Sequence, residues 1–272
     1  MTTPIFILSS GRSGSQMMEK LFSSFQNTEV HHEYLCNIIQ PLGTKYYMNL
    51  VDGTYVNDVI DSTYGAAIDI STKDFWIDSS NKLSWIAYPI SMKFPNAKFI
   101  HIVRDGRRVV SSYFNKLSRE CYDDFSSEYL YKFLKNEVLK PPPEKKFWWP
   151  LIKYKGSYKN FINLNQFQKI CVHWSEVNKN IEEGLKNVSS KNIYTVRLED
   201  LVQKKEIYND LISFLEFNDY NDGFNFLQKP HNVNYPKSFE LSEDELKQFN
   251  ILCGDKMKKY GYDVQSDYKV DY

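Results

Sequence analysis

The 272-residue sequence has no excess of either charge: 34 Lys and Arg balance 34 Asp and Glu. A neutral chain gives no support to a general nucleic-acid or membrane-surface binder, so any argument for an anionic partner must rest on local charge. Cysteine is scarce. Cys36, Cys121, Cys171 and Cys253 are far apart in sequence, which excludes a zinc-type pairing and a redox pair and leaves reduced, mostly buried thiols. Long hydrophobic runs are missing too. No stretch approaches the roughly eighteen apolar residues of a membrane helix, and the first apolar run, Pro4 to Leu8, is too short for a signal-peptide core. These absences predict a soluble, cytoplasmic protein with no membrane span and no nucleic-acid partner. No internal repeat and no convincing metal motif is present.

What remains is ordinary globular composition, 42% hydrophobic and 25% charged, in a chain long enough to bury a core without staples. Aromatic content is high, at 16% with 20 Tyr, which suits a stacking surface or an aromatic core equally. Pro4 to Leu8 reads as a short buried strand, Ser9 to Ser15 as a Gly/Ser loop, and Gln16 to Phe25 as a helix by its apolar spacing. Further strands are expected at Glu29 to His32, Phe75 to Asp78, Lys98 to Val103 and Asn192 to Arg197. Helices are expected at Leu83 to Phe94, Arg107 to Leu117, 126 to 139, Asn165 to Lys186 and Ile207 to Leu215, with short helices over 34 to 70. Ser242 and Glu245 form a capping box for a last helix, which Gly261 can end near Tyr260. Strands separated by helices imply a parallel α/β sheet with helices on both faces. In such sheets ligands bind at the carboxyl ends of the strands.

Two segments lie at such ends. In the first, Ser9-Ser10-Gly11-Arg12-Ser13-Gly14-Ser15-Gln16, the two glycines allow backbone turns that aim successive N–H groups inward as an anion nest. The following helix adds its N-terminal dipole. Ser13 and Ser15 bring hydroxyls, and Arg12 a planar fork of charged donors. The plain alternative is a connecting turn. The loop is not a Walker A motif, because no Gly-Lys-Ser/Thr closes it, and it does not match G-x-G-x-x-G. The second segment is Arg104-Asp105-Gly106-Arg107-Arg108 followed by Val109-Val110-Ser111-Ser112. Arginines at a helix start oppose the macrodipole unless an anion is present. A solvated surface turn is the alternative there.

Together the two segments resemble the sulfotransferases that use 3′-phosphoadenosine 5′-phosphosulfate (PAPS). Arg12-Ser13-Gly14-Ser15 is similar to that family's R/K-S-G-S/T loop for the 5′-phosphosulfate. Arg104 and Ser112, eight residues apart, are similar to its Arg and Ser for the 3′-phosphate. Trp76-Ile77-Asp78-Ser79-Ser80, Pro95 to Ile100, Val196-Arg197-Leu198-Glu199-Asp200-Leu201 and Tyr260-Gly261-Tyr262 extend the likeness over most of the chain, outside roughly 34–70 and 117–165. The chain departs from the pattern at Gln16, where Thr or Ser is common. No Lys follows Asp78, and Leu198 stands where a Tyr often precedes Glu-Asp. Lys237 is a weak candidate for a C-terminal basic residue on the 3′-phosphate.

The resemblance implies one domain over 1–272 with a P-loop-NTPase-like α/β architecture of about five parallel strands. A helical or loop insert around 117–165 would form part of the acceptor site. It implies PAPS as co-substrate, adenosine 3′,5′-bisphosphate (PAP) as product and no metal. Gly11, Arg12, Ser13, Gly14, Ser15, Gln16, Arg104 and Ser112 would bind the donor. Arg12 would also be catalytic, stabilising the leaving phosphate together with the loop amides. His31-His32-Glu33 follows the second strand, and a Glu or His is the base across the wider family. Glu33 is the favoured base and His32 the next. Neighbours on a strand face opposite ways, so both can reach the donor only if the strand has ended before them.

Residues 132 to 159 carry eight Lys against Glu137 and Glu144, beside Phe147-Trp148-Trp149. This is either a lid for an anionic or carbohydrate acceptor or a loop that its aromatics pin to the core. Two other functional readings stand beside the sulfotransferase: a small-molecule kinase with a degenerate phosphate loop, and a non-catalytic nucleotide-binding module.

Overall fold

A computed structural model describes residues 2–217, 223–228, 238–262 and 269–271, the last segment and 238–240 by backbone alone. Five strands make one sheet: β1 (Thr3–Ser9), β2 (Thr28–His32), β3 (Phe75–Ser79), β4 (Lys98–Val103) and β5 (Ile193–Arg197). Their order is β2-β3-β1-β4-β5 and every pairing is parallel. The chain first builds to one side of β1 and then crosses to the other. That reversal opens a crevice at the carboxyl end of β1.

The strand residues alternate between two cores, as the pleat requires. Ile5, Ile7, Ile77, Ile100 and Ile102 pack with the helix Ser15–Phe22 and with Leu201, Leu211 and Leu215. Phe6, Leu8, Trp76 and Phe99 face the other way, against Ile39, Val56, Ile60 and Ile181. Helices therefore cover both faces, as a parallel sheet demands. The long helix Gln166–Leu185 opens on the Asn165–Gln168 capping box. A third core lies off the sheet. Trp148, Leu151 and Phe161 from the 117–165 segment pack there with Val109, Trp174 and Phe249. All four cysteines are free thiols, and only Cys36 is partly exposed. No helix among the described residues is long and apolar enough to cross a membrane.

Two helices depart furthest from expectation, each for a physical reason. The Leu83–Phe94 helix is split into a 3₁₀ turn, Leu83–Ile86, and a helix, Ala87–Lys93. The restart puts Pro89 in a first turn, where its missing N–H costs nothing. The helix expected over 126–139 runs Asp124–Leu134 and stops where Asn136 turns left-handed, at φ 58°. A helix over Leu198–Gln203, directly after β5, was not foreseen. Lys237 lies outside the described residues.

His101 on β4 is buried, and its Nε2 lies 2.9 Å from Asn178 Oδ1 of the long helix. Burial pushes its pKa down to about 4. The unfolded chain thus takes up this proton near pH 6.5 and the folded chain only near 4. Stability is whole above the higher value and is lost as pH falls towards the lower, by about 3 kcal/mol. His101→Gln should be destabilised at pH 7.5, and its deficit against the parent should shrink as pH falls from 6.5 to 4. Urea unfolding across that range checks this, and a pH-independent deficit would refute it.

Candidate active site

The glycine loop leaves β1 at Ser9 and turns through three left-handed residues, Gly11 (φ 79°), Arg12 (φ 52°) and Gly14 (φ 85°). Its carbonyls are given donors. Ser10 O accepts from Tyr113 Oη (3.1 Å), Gly11 O from Ser13 Oγ (2.9 Å) and Arg12 O from Arg104 Nη1 (2.6 Å). Gly14 O accepts from the Met18 N–H (3.0 Å) and Ser15 O from Ser79 Oγ (2.9 Å). In a trans peptide the N–H points opposite to its carbonyl. Fixing these carbonyls therefore directs the N–H groups of 12, 13, 15 and 16 to the side where the helix Ser15–Phe22 begins, while the Gly11 N–H donates to Ser9 Oγ at 3.2 Å.

That side opens into a cavity of about 560 Å³, the size of a small-ligand site. Gly11, Arg12, Gly14, Ser15 and Gln16 line it, as do Arg104 and Ser112 from the second segment and His32 and Glu33 after β2. Ser13 does not. Its hydroxyl is buried and bonded within the loop, to Gly11 O and Ser10 Oγ. The expectation of a Ser13 hydroxyl facing an anion is therefore corrected, and only its backbone remains for that purpose.

The arginine turn divides its charges. Asp105 caps the helix Gly106–Lys116 and is gripped by Arg107, with Nη2 2.7 Å from Oδ2 and Nε 3.0 Å from Oδ1. Arg107 is thereby neutralised in the interior, while Arg104 and Arg108 line the cavity. Arg12 bridges the two segments, its Nε donating to Ser112 Oγ at 2.9 Å. Arg104 and Ser112 thus meet by way of Arg12. Lys116 stands near this pair. Partial burial and then the charges of Arg12 and Arg104 lower its pKa. Cations crowded to that degree favour an anion between them. Glu199 braces the turn from outside, accepting from the Asp105 N–H (3.2 Å) and from Tyr262 Oη (2.7 Å). This gives the Leu198-Glu199-Asp200 and Tyr260-Gly261-Tyr262 segments a structural task.

β2 ends at His32, and Glu33 takes φ 54°, so both side chains reach the same cavity. His32 Nε2 lies 3.0 Å from Ser15 Oγ, and burial lowers the His32 pKa. A neutral imidazole can accept the Ser15 proton. His31 turns away to Glu29 (3.1 Å) and packs on Trp76. Glu33 pairs with Lys82 at 3.7 Å, and Lys82 also lies 4.7 Å from the centre of the Trp149 ring. The sequence reading missed Lys82, which stands four residues beyond Asp78 and brings a cation where the residue after Asp78 has none. Its signal was present, a lone Lys ahead of an apolar helix, but only the fold turns it inward. Trp148 and Trp149 separate. Trp148 is core, whereas Trp149 lines the cavity with its indole N–H on Glu120 O at 2.8 Å. Leu198, Val202 and Leu227 make an apolar end beside the loop.

The chain matches the family model of the sulfotransferase domain over residues 2–261. Among solved structures, the sulfotransferase domain from the curacin biosynthetic pathway is similar with a TM-score of 0.51 at 16% identity, over 97% of this chain and 99% of that one. The sulfotransferase domain of the Synechococcus PCC 7002 olefin synthase gives 0.51 at 16%, over 96% of each chain. A sulfotransferase from Mycobacterium avium gives 0.54 at 8%, over 96% of this chain and 78% of that one. At these identities the structural likeness is one of fold. None of the curated protein sequences matches the chain.

Gly11 sets a test of the loop. A methyl group there would overlap the Tyr113 hydroxyl and the Asn81 amide, on a backbone that disfavours any side chain. Gly11→Ala should cost about 1–3 kcal/mol by overpacking and about 1 kcal/mol more by its left-handed φ. Denaturant unfolding measures the sum, and an unchanged midpoint would show that the loop is not held by these contacts.

Proposed function

The chain belongs to the sulfotransferase domain family and is an enzyme that transfers a sulfuryl group; from that premise we propose how its residues bind PAPS, activate the acceptor and select it. The observation that carries the reading is the shared cavity, in which the glycine loop, the Arg12–Ser112–Arg104 cluster and Glu33 all face one space. The residues fit a donor with two anionic ends. Backbone N–H groups of 12, 13, 15 and 16 and the hydroxyl of Ser15 suit the 5′-phosphosulfate, with the Gln16 side chain beside them. Arg104, Ser112 and the guanidinium of Arg12 suit the 3′-phosphate. Leu198, Val202 and Leu227 offer the purine an apolar wall.

The reaction forms a bond from the acceptor oxygen or nitrogen to sulfur and breaks the bond from sulfur to the 5′-phosphate oxygen. The acceptor proton passes to Glu33, and PAP leaves. His32, neutral and bonded to Ser15, orients the loop side of this space and is the second candidate for the proton. Lys82, fixed between Glu33 and Trp149, supplies the nearby cation, and Arg12 and the loop amides balance charge on the leaving phosphate. Donor binding at both ends sets the sulfuryl group in line with the acceptor.

The acceptor is a hydroxyl or amine compound, with a carbohydrate as the first choice. Its wall comes from the 117–165 insert of a single domain: the Trp149 ring beside the polar groups of Glu120, Lys145 and Lys146. A ring face next to hydrogen-bonding groups suits a sugar, which has an apolar face and a polar edge.

Calorimetry with PAP, with ATP as control and no magnesium, tests the donor site. PAP should bind tightly and ATP weakly. Arg104→Ala should weaken PAP about 10- to 100-fold, the worth of charged hydrogen bonds. Because Arg104 also holds Arg12 O, Ser112→Ala is the second arm and should weaken PAP less. Equal binding of ATP would refute the donor assignment. In a screen of sugars, phenols and amines with radiolabelled PAPS, Glu33→Gln should lower turnover about 10²- to 10⁴-fold and leave PAP affinity unchanged. Full turnover by that variant would move the proton to His32.

A further inference from the structure

Glu33 and Leu35 are both left-handed, at φ 54° and 48°, and neither is glycine. Such a pair persists only where the surroundings over-determine it. Here the fixing contacts can be traced. The Glu33 N–H donates to Ser79 O at 3.2 Å. The next peptide is held at both ends: its carbonyl, Glu33 O, accepts from the Cys36 N–H at 3.0 Å, and its N–H, on Tyr34, donates to Asp78 Oδ1 at 3.1 Å. Asp78 has no exposed surface and does not line the cavity. Its other oxygen, Oδ2, accepts from Tyr64 Oη at 2.8 Å, and the same hydroxyl lies 3.2 Å from Tyr34 O. Tyr64 is itself fully buried and sits in a single π-turn, Asp61–Gly65, between the helices Gly53–Ile60 and Ala66–Ile70. A π-turn adds one residue to a helical turn and re-aims the side chains after it.

We propose that Tyr64 and Asp78 are positioning residues for Glu33, locking the peptide after it and so aiming its carboxylate beside Lys82; the proposal rests on the reading of Glu33 as base. A carboxyl without solvent is costly to bury, and each oxygen of this one is committed to the turn or to the residue that steadies it. Burial also pushes its pKa up to about 7, and two donors offset part of that cost.

Tyr64→Phe deletes one hydroxyl and keeps the ring, which packs 5.2 Å from Tyr34 and 5.5 Å from Trp76. Crystal structures of the parent and of Tyr64→Phe, each with PAP, should show the Glu33 carboxylate displaced from Lys82 in the variant. PAP affinity by calorimetry should stay within about twofold. Turnover should fall roughly 10- to 100-fold, the cost of misplacing a reacting group by about 1 Å, with the acceptor KM little changed. In a Glu33→Gln background the same substitution should change turnover less than about twofold, because the two act through one group. Asp78→Asn, of the same shape, should follow the same pattern.

An undisplaced Glu33, an equal loss in both backgrounds, or a parallel loss of PAP affinity would each overturn the positioning role while leaving Glu33 as base. A Glu33→Gln enzyme with full turnover would instead overturn the base, and the proposal with it.

Discussion

The glycine loop of this protein depends on where its carbonyls go. A turn that presents N–H groups to an anion must hide as many carbonyl oxygens, and each hidden oxygen needs a donor. Here the donors come from far along the chain: Tyr113, Arg104 and Ser79, with Ser13 from the loop itself. Arg104 takes part in both duties, since it holds the Arg12 carbonyl and faces the cavity. The cavity wall and the scaffold therefore share atoms. Glu199 and Tyr262 extend the brace to the end of the described helix Glu243–Lys259, so the C-terminal segment steadies a turn more than 150 residues earlier.

The opposite end of the cavity works by a different economy. Glu33 reaches the cavity because its strand stops one residue before it, on a left-handed turn whose next peptide is bonded to Asp78, itself bonded to the buried Tyr64. Strain at Glu33 is thus balanced by hydrogen bonds that face away from solvent. Lys82 lies where the two ends meet. Its burial lowers its pKa, and the charge of Glu33 opposes that change.

Much of the fold was legible in the sequence because the signals were local. Lys-Phe-Ile-His-Ile-Val alternates between two cores, Gly11 and Gly14 mark the loop, and Ser242 with Glu245 marks a helix start that the structure bears out. The cavity lining beyond the two motifs was less legible, because its members arrive through packing. Lys82, Asn81, Tyr113 and Trp149 come from three separate segments, and no spacing rule joins them. Adjacent residues also took opposite fates. Trp148 went to the core and Trp149 to the cavity, while Ser13 turned inward and Ser15 outward. Such splits follow from the direction of one peptide, which residue type does not encode. The separation of Arg107 from Arg104 and Arg108 has the same origin, since only the N-cap geometry brings Asp105 to Arg107.

The third core has a consequence for synthesis. Phe249, Cys253 and Met257 of the last long helix pack in one core with Val109 and Trp174, the Phe249 ring 6.2 Å from that of Trp174. While the chain is still emerging from the ribosome, the sheet can pair as soon as Ile193–Arg197 is free, yet Val109 and Trp174 stay uncovered for some fifty residues more. The core around Val109 and Trp174 is thus the last part to consolidate. A nascent or truncated chain carries an adhesive apolar surface on the helix Gly106–Lys116, whose other side lines the cavity.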